Sequence, residues 1–286
     1  MAVVYRAHDR ELDRIVAIKV LSEEFSSLVG GERFRREIAV MAKLVHPRIV
    51  GLVDSGEANG RLYYVMPFMT AETLRGRLTR ERRVAPTSAS TLGGDIAEAL
   101  AFAHRLGVIH RDIKPENVFA TGDRAVLADF GIARVMTDSE VDAPSYRTTT
   151  GVAVGTMAYM SPEQAAADAV IDGRSDLYGL GCLMYELLTG KPPFSAKTPL
   201  ALMAKHFTEV PRPLAEHGLA VPVELEAIVM RLLAKDPDAR PARAMDVAAL
   251  LRATQLPDAS TGFYPALSPT TPRPAPRASD ADQSAR

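Results

Sequence analysis

His110-Arg111-Asp112-Ile113-Lys114-Pro115-Glu116-Asn117 is followed, twelve residues after Asn117, by Asp129-Phe130-Gly131. Asp112, Lys114 and Asn117 put a carboxylate, a lysine and a carboxamide within six residues, with the Asp129 carboxylate close behind. Such a set can bring a hydroxyl, a phosphate and a divalent cation to one place. The rest of the chain reads as support for that arrangement.

At 286 residues the chain is long enough for one large domain or two lobes with sizeable cores. A hydrophobic fraction of 47% with 24% charged residues is that of an ordinary soluble fold. The 34 basic and 35 acidic side chains nearly cancel, which gives no support to a nucleic-acid partner. Cys182 is the single cysteine, so no intrachain disulfide can form, and its place in LYGLGCLMYELL predicts a buried structural thiol. No apolar run reaches eighteen residues and the first residues make no signal peptide, so the expected location is the cytoplasm.

Outward from the motif on the amino-terminal side, the opening MAVVYRAHDRELDRIVAIKVL alternates apolar positions and breaks at a charged turn near Arg10 to Arg14. It resumes as a β-branched strand over 15–20, which predicts a hairpin. Lys19 taken alone is a solvated charge at a strand end. Phe34, Ile38, Met41 and either Leu44 or Val45 recur at helical spacing, so an amphipathic helix is expected before Pro47. Strands are expected over 49–54 and 62–66, joined by a polar turn.

Past residue 69 or 70 the pattern turns helical. Helices are expected over 72–81, 88–106, 175–189, 200–207, 223–234 and 244–252. Gly93 and Gly94 weaken the second of these by about 1 kcal/mol each, so packing must hold it. The helix over 175–189 is apolar on more than one face and belongs in a core. From Pro257 the chain is rich in Pro, Ala, Ser and Thr and reads as a linker with little reason to fold.

HRDIKPEN, DFG, the GT-x-x-YMSPE segment at 155–163, the GRSDLYGLG segment around Asp176 and Arg240 in DPDARP occur in the order that marks a family. The chain resembles the serine/threonine protein kinases, and among them the bacterial kinases related to the eukaryotic ones. The resemblance covers the chain to about Leu251 and implies an α+β, two-lobed protein-kinase-like fold. Residues 1–69 would form a partial β-rich N-lobe, 70–254 a larger helical C-lobe, and 255–286 a disordered tail of juxtamembrane type.

For the site, the resemblance implies Asp112 and Lys114 as the catalytic pair: the carboxylate accepts or orients the hydroxyl proton and the ammonium neutralises the transferring phosphoryl group. Asn117 and Asp129 would hold magnesium, and Lys19 would hold the ATP phosphates with Glu37 as its counter-ion. Val4 and Ala17 would line the adenine, and Met66, Phe68 and Met69 would form the hinge side of the pocket. Thr148, Thr149 and Thr150 are the autophosphorylation candidates, with Arg111 able to pair with a phosphate on that segment. His110, Phe130, Gly131, Thr156, Glu163, Asp176 and Arg240 would support the site; Glu163 is expected to pair with Arg240 and Asp176 to bind backbone beneath the catalytic loop.

The implied cofactors are ATP and Mg2+, and the implied partners are proteins with Ser or Thr acceptors, together with a second copy for autophosphorylation. Membrane attachment would come only through sequence outside this chain. The family's glycine-rich loop is represented only by Met1-Ala2-Val3-Val4-Tyr5. The expectation is therefore an amino-terminally clipped kinase, with a catalytically impaired interaction domain as the alternative.

Overall fold

The computed structural model describes residues 2–130, 157–168 and 171–255. The expected hairpin is β1 (Ala2–Asp9) and β2 (Arg14–Leu21), antiparallel in a register that pairs Ala2 with Leu21 and Asp9 with Arg14. Asp9 closes it: Oδ1 accepts from the Glu11 and Leu12 amides at 3.2 and 3.3 Å, and Oδ2 accepts from Arg14 Nε at 3.1 Å. The charged break in the sequence is thus a turn organised by one carboxylate.

Ser22 caps a short helix, α1 (Glu23–Val29), absent from the sequence expectation. The amphipathic helix follows as α2 (Gly31–Met41), with Phe34 and Ile38 buried. It ends before Leu44, which is buried, while Val45 is 81% exposed. Strands β3 (Asp54–Ala58) and β4 (Arg61–Pro67) complete a four-stranded sheet of order β1-β2-β4-β3.

The strand expected over 49–54 begins only at Asp54. Ile49 instead makes a lone parallel bridge to Leu127, with the Val50 amide donating to Leu127 O and the Leu127 amide to Arg48 O. Only at Val53, whose amide donates to Val65 O at 2.8 Å, does the chain turn to the first sheet; the bonds of residues 48–50 to Leu127 are what keep the β-branched residues before it from extending that sheet.

Past the sheet, the two-residue strand β5 (Glu72–Thr73) precedes α3 (Leu74–Glu81), and Thr73 caps it by accepting from the Gly76 amide at 3.2 Å. The long α4 (Pro86–Arg105) starts two residues earlier than its apolar stripe predicts, because Pro86 sits in the first turn where no amide partner is needed. Strands β6 (Val118–Thr121) and β7 (Arg124–Leu127) join β5 in a second, three-stranded sheet.

After α5 (Pro162–Ala166) comes α6 (Gly173–Thr189), whose residues Ser175 to Leu188 are all buried. Helices α7 (Pro199–Thr208), α8 (Val223–Leu232) and α9 (Ala244–Ala253) follow, close to their expected positions. A methyl group on Gly93 would lie 2.6 Å from Met184 Sδ. The helix-weakening glycine is what lets α4 approach α6 so closely, so packing recovers what propensity loses.

The architecture is α+β: an amino-terminal sheet with its helices, then a larger helical region. Two apolar clusters divide the same way. Leu21, Val29, Phe34, Ile38, Leu62 and Tyr64 form the smaller one under the first sheet. The larger is built on α4 and α6 and contains Cys182, whose thiol is pushed up by burial and stays protonated. Among the described residues, no helix is long and apolar enough to cross a membrane.

Candidate active site

Opposed residues in a sheet share a face. Val4 pairs with Lys19 and Lys19 with Tyr64, while Ala17 pairs with Met66 two positions along, so all five side chains leave one face of the first sheet. Ala17 is buried, Met66 half-buried and Val4 exposed. Beyond the end of β4, Phe68 is exposed with the Arg6 guanidinium 5.4 Å from its ring centre, and Met69 is half-buried.

The catalytic-loop candidates come from the segment between α4 and β6. Asp112 Oδ2 accepts from Lys114 Nζ at 2.6 Å and from Asn117 Nδ2 at 3.0 Å; the same carboxamide nitrogen donates to Asp112 O at 2.8 Å. One carboxylate oxygen thus gathers the lysine and the amide that the sequence spaces two and five residues away. Asn117 is buried, and its carbonyl accepts from the Ala128 amide at 2.8 Å, which ties the loop to the residue before Asp129.

The loop is held from beneath by α6. Asp176, fully buried, accepts from the His110 amide at 2.8 Å, the Arg111 amide at 2.7 Å and His104 Nε2 at 2.7 Å. Arg111 has φ +65°, a left-handed conformation costly for a side-chain-bearing residue, and these bonds hold it there. His110 is buried, contacts the Phe130 ring at 4.6 Å between centres, and has its Nδ1 3.2 Å from the Asp112 amide and its Nε2 2.9 Å from Ala128 O. An acceptor at one nitrogen and a donor at the other define a neutral imidazole. Burial lowers its pKa in the same sense.

Glu163 and Arg240, seventy-seven residues apart, form a bidentate pair at 2.6 and 2.9 Å, and Ser175 Oγ donates to Glu163 Oε1 at 2.6 Å. Burial alone would raise the Glu163 carboxyl. The hydrogen bonds from Arg240 and Ser175, with the guanidinium charge, bring it below the usual carboxylate range.

Lys19 differs from expectation. Its ammonium meets Asp129 Oδ1 at 2.9 Å, and among the described residues no ion pair joins it to Glu37. Glu37 is half-buried on α2, whose residues Phe34 and Ile38 pack on the sheet, and the ammonium lies 5.8 Å from the Tyr64 ring centre. The DFG-type carboxylate, brought up by the Ala128 tether, is the anion that Lys19 finds. Gly131, Thr148, Thr149, Thr150 and Thr156 lie outside the described residues.

Four groups escaped sequence reasoning. Tyr64 donates its hydroxyl to Asp129 Oδ1 at 3.3 Å, and burial, then the Asp129 charge, push that hydroxyl well above the usual tyrosine range. His104 reaches Asp176, as above. Gln164 completes a capping box with Ser161 at the start of α5 and donates to Arg111 O at 3.0 Å. Arg75 spans Glu116 at 2.7 Å, Glu186 at 2.8 Å and the Tyr159 hydroxyl at 2.6 Å, tying α3, the catalytic loop and α6 together. The available signals were an aromatic hydroxyl in an apolar strand and a Ser-x-x-Gln before a helix; Arg75 had none, since its partners are 41 and 111 residues away.

Asn117 and Asp129 offer hard oxygen donors, and among the described residues no cluster of three or more His, Cys, Asp or Glu could cage a metal unaided. Such a pair fits a magnesium ion whose remaining ligands come from nucleotide phosphates and water.

Comparison with known proteins agrees with this geometry. The protein kinase domain model matches residues 1–251. The chain is 42% identical over 268 residues to serine/threonine-protein kinase PknB of Mycolicibacterium smegmatis, covering 91% of this chain and 42% of that protein. It is 43% identical over 246 residues to the probable serine/threonine-protein kinase SCO3848 of Streptomyces coelicolor, covering 84% and 36%, and 42% identical over 274 residues to serine/threonine-protein kinase pkn2 of Myxococcus xanthus, covering 93% and 32%. The chain spans less than half the length of these relatives. With the family model matched over nearly all the described residues, the chain belongs to the protein kinase domain family, among the bacterial serine/threonine kinases of eukaryotic type.

Proposed function

We propose that this chain catalyses transfer of the γ-phosphoryl group of ATP to Ser or Thr hydroxyls of proteins. The observation that carries the reading is the convergence of Lys114 and Asn117 on one oxygen of Asp112, in a loop tethered to Asp129. Residues 1–69 would act as the nucleotide-covering lobe and 70–254 as the substrate lobe.

In this reading Asp112 orients the acceptor hydroxyl and takes up its proton as the new oxygen-phosphorus bond forms and the bond from the γ-phosphorus to the bridging oxygen breaks, releasing ADP. Lys114 balances charge on the transferring group. Lys19 leaves Asp129 to meet the nucleotide phosphates, while Val4, Ala17, Met66, Phe68 and Met69 flank the base. Magnesium, held by Asn117 and Asp129 when bound, supplies charge neutralisation on the phosphates. The chain's own residues contribute position and electrostatics, the main terms in phosphoryl transfer. Thr148, Thr149 and Thr150 are proposed autophosphorylation sites reached by a second copy, and His110, Arg111, Phe130, Gly131, Thr156, Glu163, Asp176 and Arg240 support the site.

The test is incorporation of γ-phosphate from ATP into the chain and into a generic basic protein, with Asp112→Ala alongside at equal magnesium. Transfer should fall by about 100-fold or more in the variant, the weight of a positioned base, and the phosphate should map to the threonines at 148–150. Equal transfer by both proteins would refute the assignment of Asp112.

A further inference from the structure

Tyr64 has no part in the proposed phosphoryl transfer, yet it touches the residues that do. It stands opposite Lys19 in the β2–β4 register and is 5% exposed, packed in the small core with Phe34, Ile38 and Leu62. A tyrosine buried this deeply needs a partner for its hydroxyl. The partner is Asp129 Oδ1, at 3.3 Å, the same oxygen that takes the Lys19 ammonium at 2.9 Å.

Two features give this contact a consequence. Both donors fall on Oδ1, and among the described residues no hydrogen bond or ion pair reaches Oδ2. The Asp129 backbone has φ +57°, a conformation that a residue with a β-carbon keeps only when its surroundings impose it. Lys19 is a flexible stem with a point charge, and in the reading above it transfers to phosphate. Tyr64 is a ring locked in a core, so its donor stays where it is.

We propose that Tyr64 is a positioning residue for the cation-binding carboxylate: by donating to Oδ1 it fixes the Asp129 side chain and leaves Oδ2 presented to Mg2+. The proposal rests on Asp129 being the metal ligand. A hydrogen bond that orients a ligating carboxylate contributes to metal affinity without touching the metal.

Tyr64→Phe removes only the hydroxyl. Calorimetric titration of Mg2+ into the chain saturated with a non-hydrolysable ATP analogue should show binding weakened about 10- to 100-fold in Tyr64→Phe, the range for loss of an orienting partner. Analogue binding without metal should be unchanged. Asp129→Asn should abolish the Mg2+ response. Melting temperatures measured alongside, and a second variant, Tyr64→Leu, with the same loss of Mg2+ affinity, separate loss of the hydroxyl from loss of folding.

A Tyr64→Phe titration superimposed on that of the wild type overturns the proposal. So does a tighter one, which would make the hydroxyl a competitor of the metal. So does equal weakening of metal-free analogue binding, which would mark general damage to the pocket. If wild type and Asp129→Asn take up Mg2+ alike, the metal-ligand assignment itself fails and Tyr64 has no such role.

Discussion

The two sides of the site are fixed in different ways. Beneath the catalytic loop the charged groups are buried and fully engaged: the Asp176 side chain is 0% exposed and accepts three hydrogen bonds, and Arg240, also 0% exposed, grips Glu163 with two. On the sheet side, Lys19 and Asp129 are 21% and 28% exposed and meet through one contact. Buried, multiply bonded charges are costly to disturb because removing one partner strands the other away from water. A partly exposed pair exchanges partners at little cost. The first set can hold a loop rigid, and in the proposed function the second would trade a carboxylate for a phosphate.

The largest effect that tests this contrast is on stability. Arg240→Ala should lower unfolding free energy by about 3–5 kcal/mol, the cost of stranding one buried partner, as read by urea denaturation. A loss below 1 kcal/mol would mean that the pair is no firmer than the Lys19 contact.

An intermediate effect is expected with pH. Burial, and then the charge of Lys235, hold His206 at a pKa of about 4 in the folded protein, where its Nδ1 lies 2.9 Å from the Tyr178 hydroxyl. Lys235 Nζ lies over the Phe194 ring at 4.1 Å and bonds the same Tyr178 hydroxyl at 3.4 Å, so the neighbouring charge that acts on the imidazole opposes its protonation. The unfolded chain, with an ordinary histidine near 6.5, binds the proton more readily. Stability is therefore full above about pH 6.5 and falls as pH drops toward 4. His110, lowered by burial, acts in the same direction. Thermal melts from pH 7 to 4 should show the decline, and His206→Gln should flatten it. An unchanged slope in that variant would remove His206 as a cause.

The smallest stability change belongs to Lys19→Met, expected to cost less than about 1 kcal/mol, as for exposed ion pairs, while abolishing measurable binding of an ATP analogue. If the melt fell as far as that of Arg240→Ala, the sheet side would be structural and the comparison would collapse.

Much of the fold was legible. Alternation with a charged break gave the β1–β2 hairpin, and three-to-four spacing gave α2, α4 and α7 to α9 to within a few residues. The strand expected from residue 49 starts only at Asp54 because the backbone at 48–50 bonds to Leu127, and no local pattern encodes a partner that far away. The site divides similarly. Asp112, Lys114 and Asn117 lie within one short loop, so spacing alone placed them together. Lys19 and Asp129 are 110 residues apart, and Glu37 was matched to Lys19 by a family pattern that the packing of α2 does not reproduce.

The sequence alone determined the order of the elements, the identity of the chemical groups and the family, because these depend on residue type, period and order along the chain. The tertiary structure decided which anion Lys19 meets, which oxygen of Asp129 Tyr64 holds, and that Arg75 joins three elements. Those depend on side chains brought together across the fold, where distances of a few ångströms between residues far apart in sequence set which hydrogen bond forms.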